Sequence, residues 1–228
     1  MQRINLSLTA KAEQAILNFI APKLPGFITP DSLTLLALIA AIGIGASYFY
    51  ALQFRILYLA AALLYAVHWL GDSLDGKIAR DRKIPRPRYG HYIDHILDSV
   101  SVAVILGGLT ASATTFTASW LWVVTGFLLL MTHAFLKASV TGKFELSLGF
   151  IGPTEARILG AGFSVLLFFT GNPQLLSFSI NEILYPFTFL DVTGAITATA
   201  IWAVLAASVV ATARMLDTED RKKWKAKK

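Results

Sequence analysis

Four aspartates carry the clearest chemistry in this sequence. Asp72 and Asp75 are three positions apart, and Asp94 and Asp98 are four apart, so each pair occupies one face of a helix. The segment between the pairs is short, basic and contains two prolines, which predicts two antiparallel neighbouring helices. We therefore expect the two acidic pairs to face each other.

Carboxylates gathered in this way need a cation, because like charges close together disfavour ionisation. Oxygen ligands suit Mg²⁺, Mn²⁺ or Ca²⁺, and Mg²⁺ commonly joins carboxylates to a substrate phosphate. Two ions could stabilise both the attacking and the leaving oxygen of a displacement at phosphorus. Gly76 and Gly90 leave room for a substrate near the backbone, and Arg80 is placed for a diphosphate. His68, one turn before Asp72, is a candidate for a supporting contact.

The composition indicates a membrane protein. Of the 228 residues, 55% are hydrophobic and 15% are charged, and the mean hydropathy is +0.61. In a typical soluble domain, about 45–50% of the residues are hydrophobic and about 25% are charged. The net charge of +6 fits the basic cytoplasmic loops of a membrane protein better than a nucleic-acid-binding domain. The sequence contains no cysteine, which excludes disulfides, thiolate catalysis and Cys-ligated metals.

Six segments are apolar enough to be membrane spans, which need about 20 residues each. An amphipathic segment at about 7–20 precedes them and predicts a helix that lies in the membrane interface or packs on the helix bundle. No repeat or linker divides the chain, so we predict one all-α, polytopic membrane domain over residues 1–228. The predicted spans are roughly 33–52, 56–76, 92–114, 118–136, 158–171 and 189–213, of which the fifth is the shortest.

The basic residues predict the orientation of these spans. With six spans, 19 of the 20 Lys and Arg residues fall on one side of the membrane, and only Arg55 falls on the other. Basic loops mark the cytoplasmic side. We therefore expect both termini and the aspartates at the cytoplasmic face, with a basic tail at 214–228 that faces anionic lipid.

Two other functions fit an acidic cluster in a membrane protein: a cation transporter, and a scaffold that retains a non-catalytic site. A transporter predicts carboxylates near the bilayer midplane and paired, interrupted helices. Here the carboxylates stand at the predicted cytoplasmic ends of spans, and no repeat is visible. The pattern therefore favours phosphoryl chemistry over transport.

The two blocks resemble the signature of the CDP-alcohol phosphatidyltransferases. The pattern is Asp-x-x-Asp-Gly-x-x-Ala-Arg, a spacer, and then Gly-x-x-x-Asp-x-x-x-Asp. The spacer 81–89 is one residue longer than usual, and an extra residue in a loop is readily tolerated. The start of the first span, 30–34, also resembles members of the family. The matching residues of the two blocks are Asp72, Asp75, Gly76, Ala79, Arg80, Gly90, Asp94 and Asp98.

The resemblance implies a transferase that moves a phospho-alcohol group from a CDP-linked donor to an acceptor hydroxyl and releases CMP. It implies two bound ions, Mg²⁺ or Mn²⁺. It also implies a homodimer in a prokaryotic cell membrane, with no nucleic-acid partner. Asp98 is the implied general base, and His95 is an alternative base. The implied metal ligands are Asp72, Asp75, Asp94 and Asp98, and the implied CDP-binding residues are Gly76, Ala79, Arg80, Gly90 and Thr34.

The donor and the acceptor stay open, because two local resemblances disagree. Segments 141–146 and 152–155 resemble the aminoalcohol phosphotransferases, which use CDP-choline or CDP-ethanolamine with diacylglycerol. Lys137, Arg157 and Arg214 resemble a cationic trio that binds a phosphorylated acceptor in prokaryotic members that use CDP-diacylglycerol. The acceptor is therefore either a lipid or a small polar alcohol.

Overall fold

The computed structural model describes residues 2–4, 9–112, 117–145, 152–180 and 183–226. These residues form seven α-helices, one short 3-10 turn (Ala21–Lys23) and four short strands, so the all-α architecture is confirmed. The helices are α1 (Ala10–Ile20), α2 (Pro30–Tyr50), α3 (Leu57–Asp81), α4 (Pro87–Ser112), α5 (Thr117–Thr141), α6 (Pro153–Thr170) and α7 (Phe189–Ala226). The strands are β1 (Gln2–Ile4), β2 (Lys143–Glu145), β3 (Gln174–Ile180) and β4 (Ile183–Thr188).

Five of the described helices are long and apolar enough to cross a membrane: α2, α3, α4, α5 and α7. Helix α6 is not among them. Its 18 residues rise only about 27 Å, and its first turns carry the charged residues Glu155 and Arg157. The multi-pass membrane fold is therefore confirmed, whereas the count of six spans stays a prediction.

Several element boundaries differ from those expected from hydropathy. Helix α4 begins at Pro87, earlier than its predicted span, because proline is well suited to the first turn of a helix. Helix α7 continues to Ala226, so the described part of the predicted tail is helical. Two features favour this long helix: α7 contains no proline, and Arg221 forms a 2.8 Å ion pair with Asp217, which lies one turn earlier.

The strands form two small sheets that the hydropathy pattern did not predict. Strands β1 and β2 pair in parallel, with Gln2 opposite Lys143. Strands β3 and β4 form an antiparallel hairpin that connects α6 to α7, with Ile180 opposite Ile183. The N-terminal helix predicted at about 7–20 corresponds to α1, which begins at Ala10. The first two residues of the predicted stretch, 7 and 8, lie outside the described residues.

Glycines let the central helices approach one another closely. A Cβ added to Gly71 of α3 would lie 2.7 Å from the carbonyl oxygen of Leu33 in α2. A Cβ on Gly108 of α4 would lie 2.1 Å from the carbonyl oxygen of Gly45 in α2. Small residues at helix crossings are the usual means of close packing in membranes. Helix α2 is thereby held against both α3 and α4.

Two glutamates fasten α1 to the rest of the protein. Glu13 accepts hydrogen bonds from Ser73 of α3 (3.0 Å) and from Thr154 of α6 (2.9 Å). Glu155 of α6 accepts from the backbone N–H (3.0 Å) and the hydroxyl (2.8 Å) of Thr9. These contacts lie beside Asp72 and Arg157 in the sequence, so α1 supports the ends of α3 and α6 that carry those residues.

Arg82, which follows α3, organises the loop that leads into α2. Its guanidinium donates to the carbonyl oxygens of Leu24 (3.2 Å), Pro25 (3.0 Å), Gly26 (3.3 Å) and Ile28 (2.5 Å). One side chain thus satisfies four carbonyls that no helix would satisfy. The start of α2 is fixed beside the end of α3 as a result.

The contact between α2 and α4 predicts that two neighbouring alanine substitutions differ in their effect on stability. Gly108→Ala should lower the thermal midpoint, because its Cβ would meet the backbone of Gly45 and overpacking costs about 1–3 kcal/mol. Gly107→Ala is the control, because a Cβ there has no heavy atom within 4 Å. Scanning fluorimetry in detergent measures both midpoints. Equal midpoints for the two variants would contradict the close contact.

Candidate active site

A small polar cavity lies between α2, α3 and α4. Its volume is about 10 Å³, which is close to the space that one water molecule needs. Its walls combine one face of each of the three helices. The polar lining residues are Thr34 from α2, His68 and Asp72 from α3, and Asp94, Asp98 and Ser101 from α4. Three of the four predicted aspartates therefore line the same cavity.

The fourth aspartate, Asp75, lies beside this cavity and has its own hydrogen bonds. The hydroxyl of Thr34 donates to Asp75 Oδ2 at 2.6 Å, and the backbone N–H of Gly76 donates to Oδ1. The charges of Asp72 and Asp94 are close enough to act on this carboxylate. Thr34, which the family resemblance assigned to CDP binding, thus contacts an implied metal ligand.

The acidic residues of α4 form a group that could hold a metal ion. Asp94, His95 and Asp98 each offer one ligand atom, and these three atoms lie within 4.8 Å of one another. The negative charges of Asp72, Asp94 and Asp75 all act on Asp98. The two acidic pairs therefore converge, as the spacing in the sequence predicts.

Arg157 of α6 supplies the positive charge that this cluster needs. Its Nη2 lies 2.8 Å from Asp72 Oδ2 and 3.6 Å from Asp98 Oδ1, so one guanidinium joins α3 to α4. The Arg157 side chain is only 11% exposed. The Asp72 and Asp98 side chains are 23% and 26% exposed, and partly buried carboxylates of this kind are costly without a partner. A guanidinium suits them through its several N–H donors.

His95 faces α5 from α4. Its ring stacks on Phe135, with centroids 5.1 Å apart and an interplanar angle of 20°, and it meets the edge of the His91 ring at 4.1 Å. Its Nδ1 lies 3.7 Å from Asp94 Oδ2, which is too far for a direct hydrogen bond. His95 therefore lies next to the aspartates but on the side of α4 that contacts α5.

The other implied CDP-binding residues lie around the end of α3 and the start of α4. The Arg80 side chain lies over Gly76, because a Cβ on Gly76 would be 3.2 Å from Arg80 Nη1. Ala79 is partly buried, whereas Arg80 and Gly90 are exposed. A Cβ on Gly90 would have no heavy atom within 4 Å. The surface is therefore open at Gly90, whereas the Arg80 side chain covers Gly76.

The cationic trio is spread over three helices. Arg157 contacts the acidic cluster, Lys137 is partly buried on α5, and Arg214 is exposed on α7. The sequence indicated that all three stand near helix ends, but it gave no distances between helices. The ion pair of Arg157 with Asp72 and the bond from Thr34 to Asp75 could not be predicted for that reason.

The family model of CDP-alcohol phosphatidyltransferase matches residues 27–210, so this chain belongs to the CDP-alcohol phosphatidyltransferase family. The family is one of membrane-embedded transferases of phospholipid biosynthesis, and the resemblance noted in the two aspartate blocks is confirmed.

Among solved structures, the chain is similar to Mycobacterium tuberculosis phosphatidylinositol phosphate synthase (PgsA1), whose crystal structure has CDP-DAG bound. The two share 18% sequence identity, the similarity covers 92% of each chain, and the TM-score is 0.53. This likeness shows a common fold. No curated protein matches the chain.

The ion pair of Arg157 predicts a loss of stability when its charge is removed. In EDTA, Arg157→Gln should lower the free energy of unfolding by about 1–3 kcal/mol, because partly buried carboxylates lose a charged partner. Arg221→Gln is the control, because its ion pair with Asp217 is exposed and contributes little. Denaturant titration in detergent measures both. An unchanged stability of Arg157→Gln would show that Arg157 does not compensate the cluster.

Proposed function

We propose that this chain transfers the phosphatidyl group of CDP-diacylglycerol to a hydroxyl of a phosphorylated acceptor and releases CMP. The observation that carries the proposal is Arg157, which lies against Asp72 and Asp98 beside the small cavity. Once divalent ions neutralise the aspartates, the Arg157 guanidinium would offer a phosphorylated acceptor a charged partner, which a neutral diacylglycerol acceptor would not use. The fold shared with PgsA1, which binds CDP-DAG, supports the same donor.

The donor atoms of the cluster fit hard divalent cations, and we propose Mg²⁺ or Mn²⁺, with two ions. Carboxylate oxygens are the ligands that such ions prefer, and Asp72, Asp75, Asp94 and Asp98 would supply them. When bound, the ions would neutralise the diphosphate of the donor and stabilise the oxygens of the displacement at phosphorus. Thr34 and the N–H of Gly76 keep the carboxylate of Asp75 oriented.

The donor would lie over the surface formed by the exposed residues Arg80 and Gly90 and the partly buried Gly76. The two glycines have no side chain to block the nucleotide, and the open space at Gly90 supports this role. Arg80 would contact the diphosphate with its planar set of N–H donors. Ala79, with its small side chain on the same helical end, would keep this approach open.

Asp98 would take the proton of the acceptor hydroxyl. The acceptor oxygen then forms a bond to the phosphorus of the diacylglycerol phosphate, while the bond from that phosphorus to the oxygen of CMP breaks. Asp98 lines the cavity, and Arg157, 3.6 Å from Asp98, would contact the phosphate of the acceptor. Lys137 and Arg214 would complete the binding of the acceptor phosphate. His95 is the alternative base.

Aminoalcohol transfer from CDP-choline or CDP-ethanolamine is a second candidate. It is favoured by His95, the alternative base, which lies within the group formed with Asp94 and Asp98. The resemblance of segment 152–155 to the aminoalcohol enzymes has a structural explanation in part. Thr154 donates to Glu13, and Glu155 accepts from Thr9, so both residues hold α1 in position. Those two residues therefore do not discriminate between donors.

The proposed reaction is tested with the full chain in nanodiscs and Mg²⁺. CDP-diacylglycerol, CDP-choline and CDP-ethanolamine are each combined with glycerol phosphate, inositol phosphate, the two unphosphorylated alcohols and diacylglycerol. CMP release and the lipid product are followed by mass spectrometry. We expect turnover of CDP-diacylglycerol with a phosphorylated alcohol, and its loss in EDTA. Turnover of CDP-choline with diacylglycerol alone would establish the second candidate, and no CMP from any donor would contradict both.

Variants in the same assay assign the residues. Asp98→Asn should lower kcat by about 10²–10⁴-fold, the range for loss of a general base, while His95→Ala should retain turnover. The reverse pattern would make His95 the base. Arg157→Gln should raise the KM of the phosphorylated acceptor more than that of the donor, because it removes a charge-assisted contact to phosphate.

We further propose that both termini and the aspartates face the cytoplasm. The chain has no cysteine, so single cysteines report their side of the membrane without background. In intact cells, a membrane-impermeant thiol reagent should label Pro173→Cys, which is exposed beside β3, and should label Arg88→Cys, exposed at the start of α4, only after lysis. The opposite labelling would reverse the proposed orientation.

A further inference from the structure

His68 is a buried polar side chain without an evident role in the reaction. It lies on α3, one turn before Asp72, and is 5% exposed. Within the described part of the chain, neither of its ring nitrogens has a hydrogen-bond partner. A buried polar group in this state costs about 1–3 kcal/mol, and native proteins seldom retain one without a reason.

The surroundings of His68 indicate that reason. Its imidazole lines the small cavity with Asp72, Asp94 and Asp98, and its charged neighbours are Asp72 and Arg157. His68 and Asp72 are four positions apart, so they share one face of α3. A carboxylate can accept hydrogen bonds on both of its oxygens. Arg157 approaches Asp72 Oδ2 from α6 at 2.8 Å. His68 offers a second donor to the same carboxylate from within α3.

The size of the cavity indicates how this donor can act. About 10 Å³ is enough for one water molecule, and the lining supplies several polar groups that could hold it. A single water between an imidazole N–H and a carboxylate oxygen is a common and effective bridge. Carboxylates that bind a metal are usually oriented by hydrogen bonds of this kind.

We propose that His68 is a positioning residue for Asp72, whose carboxylate it holds through one bridging water in the orientation that binds a divalent cation. The inference rests on the proposed metal site and extends it by one residue outside the family signature. His68 would then act through Asp72 on the affinity for the metal, and it would not touch the substrate.

The test measures metal affinity directly, without donor or acceptor. Mn²⁺ binding to the full chain in nanodiscs is followed by electron paramagnetic resonance for the wild type, His68→Leu and His68→Gln. His68→Leu should weaken Mn²⁺ binding by about 10–100-fold, the usual effect of losing a group that orients a ligand. His68→Gln should stay near the wild type, because its amide keeps a donor.

The unfolding midpoint in EDTA separates positioning from packing. His68→Leu should leave this midpoint unchanged, because no described protein group bonds directly to His68 and the apolar side chain therefore breaks no direct contact. Tyr58→Phe is the matched control. Tyr58 is 1% exposed on the same helix, and its hydroxyl also has no partner among the described residues. It lies about 15 Å along α3 from His68, away from the aspartates. It should change neither Mn²⁺ affinity nor the midpoint.

Three results would overturn the inference. The first is wild-type Mn²⁺ affinity in His68→Leu, which would leave the metal site standing without His68. The second is a fall of the EDTA midpoint in His68→Leu, or loss of its fold, which would make His68 a packing residue. The third is a wild-type chain that binds no Mn²⁺, which would contradict the proposed metal site itself.

Discussion

The need to compensate negative charge at the junction of three helices constrains this molecule more than any other feature. Asp72, Asp94 and Asp98 line one small cavity, with Asp75 beside it. The charges can be kept there only if cations balance them. Arg157 provides one such charge from α6. The acidic excess that remains explains why the site suits both a divalent ion and the phosphates that such an ion binds.

The rest of the structure holds the helices that carry these charges in fixed positions. Gly71 and Gly45 allow α2 to lie directly against α3 and α4, which brings Thr34 to the acidic cluster. Arg82 fixes the loop before α2, and Glu13 joins α1 to both α3 and α6. A site built on packed helices rather than on loops retains its geometry, as catalysis by positioning and charge requires.

The spacing of charged residues in the sequence predicted the part of the site that depends on local geometry. Helical periodicity within α3 and α4, together with the short connection between them, was enough to bring the aspartate pairs together. The contact of Arg157 with Asp72 depends on the tertiary packing of α6, and no local pattern encodes it. Hydropathy also missed the β3–β4 hairpin. It predicted a fifth span at 158–171, which stays a prediction because α6 is short and carries charges in its first turns. The homodimer stays a prediction.

The central claim, that the aspartates of α3 and α4 form a divalent-metal site, is tested most directly by anomalous diffraction. Crystals of the full chain grown with Mn²⁺ would be measured at the manganese absorption edge. We expect an anomalous peak at coordination distance, about 2.1 Å, from carboxylate oxygens of Asp72, Asp94 and Asp98. A bound Mn²⁺ found only elsewhere, with Arg157 alone compensating the cluster, would contradict it.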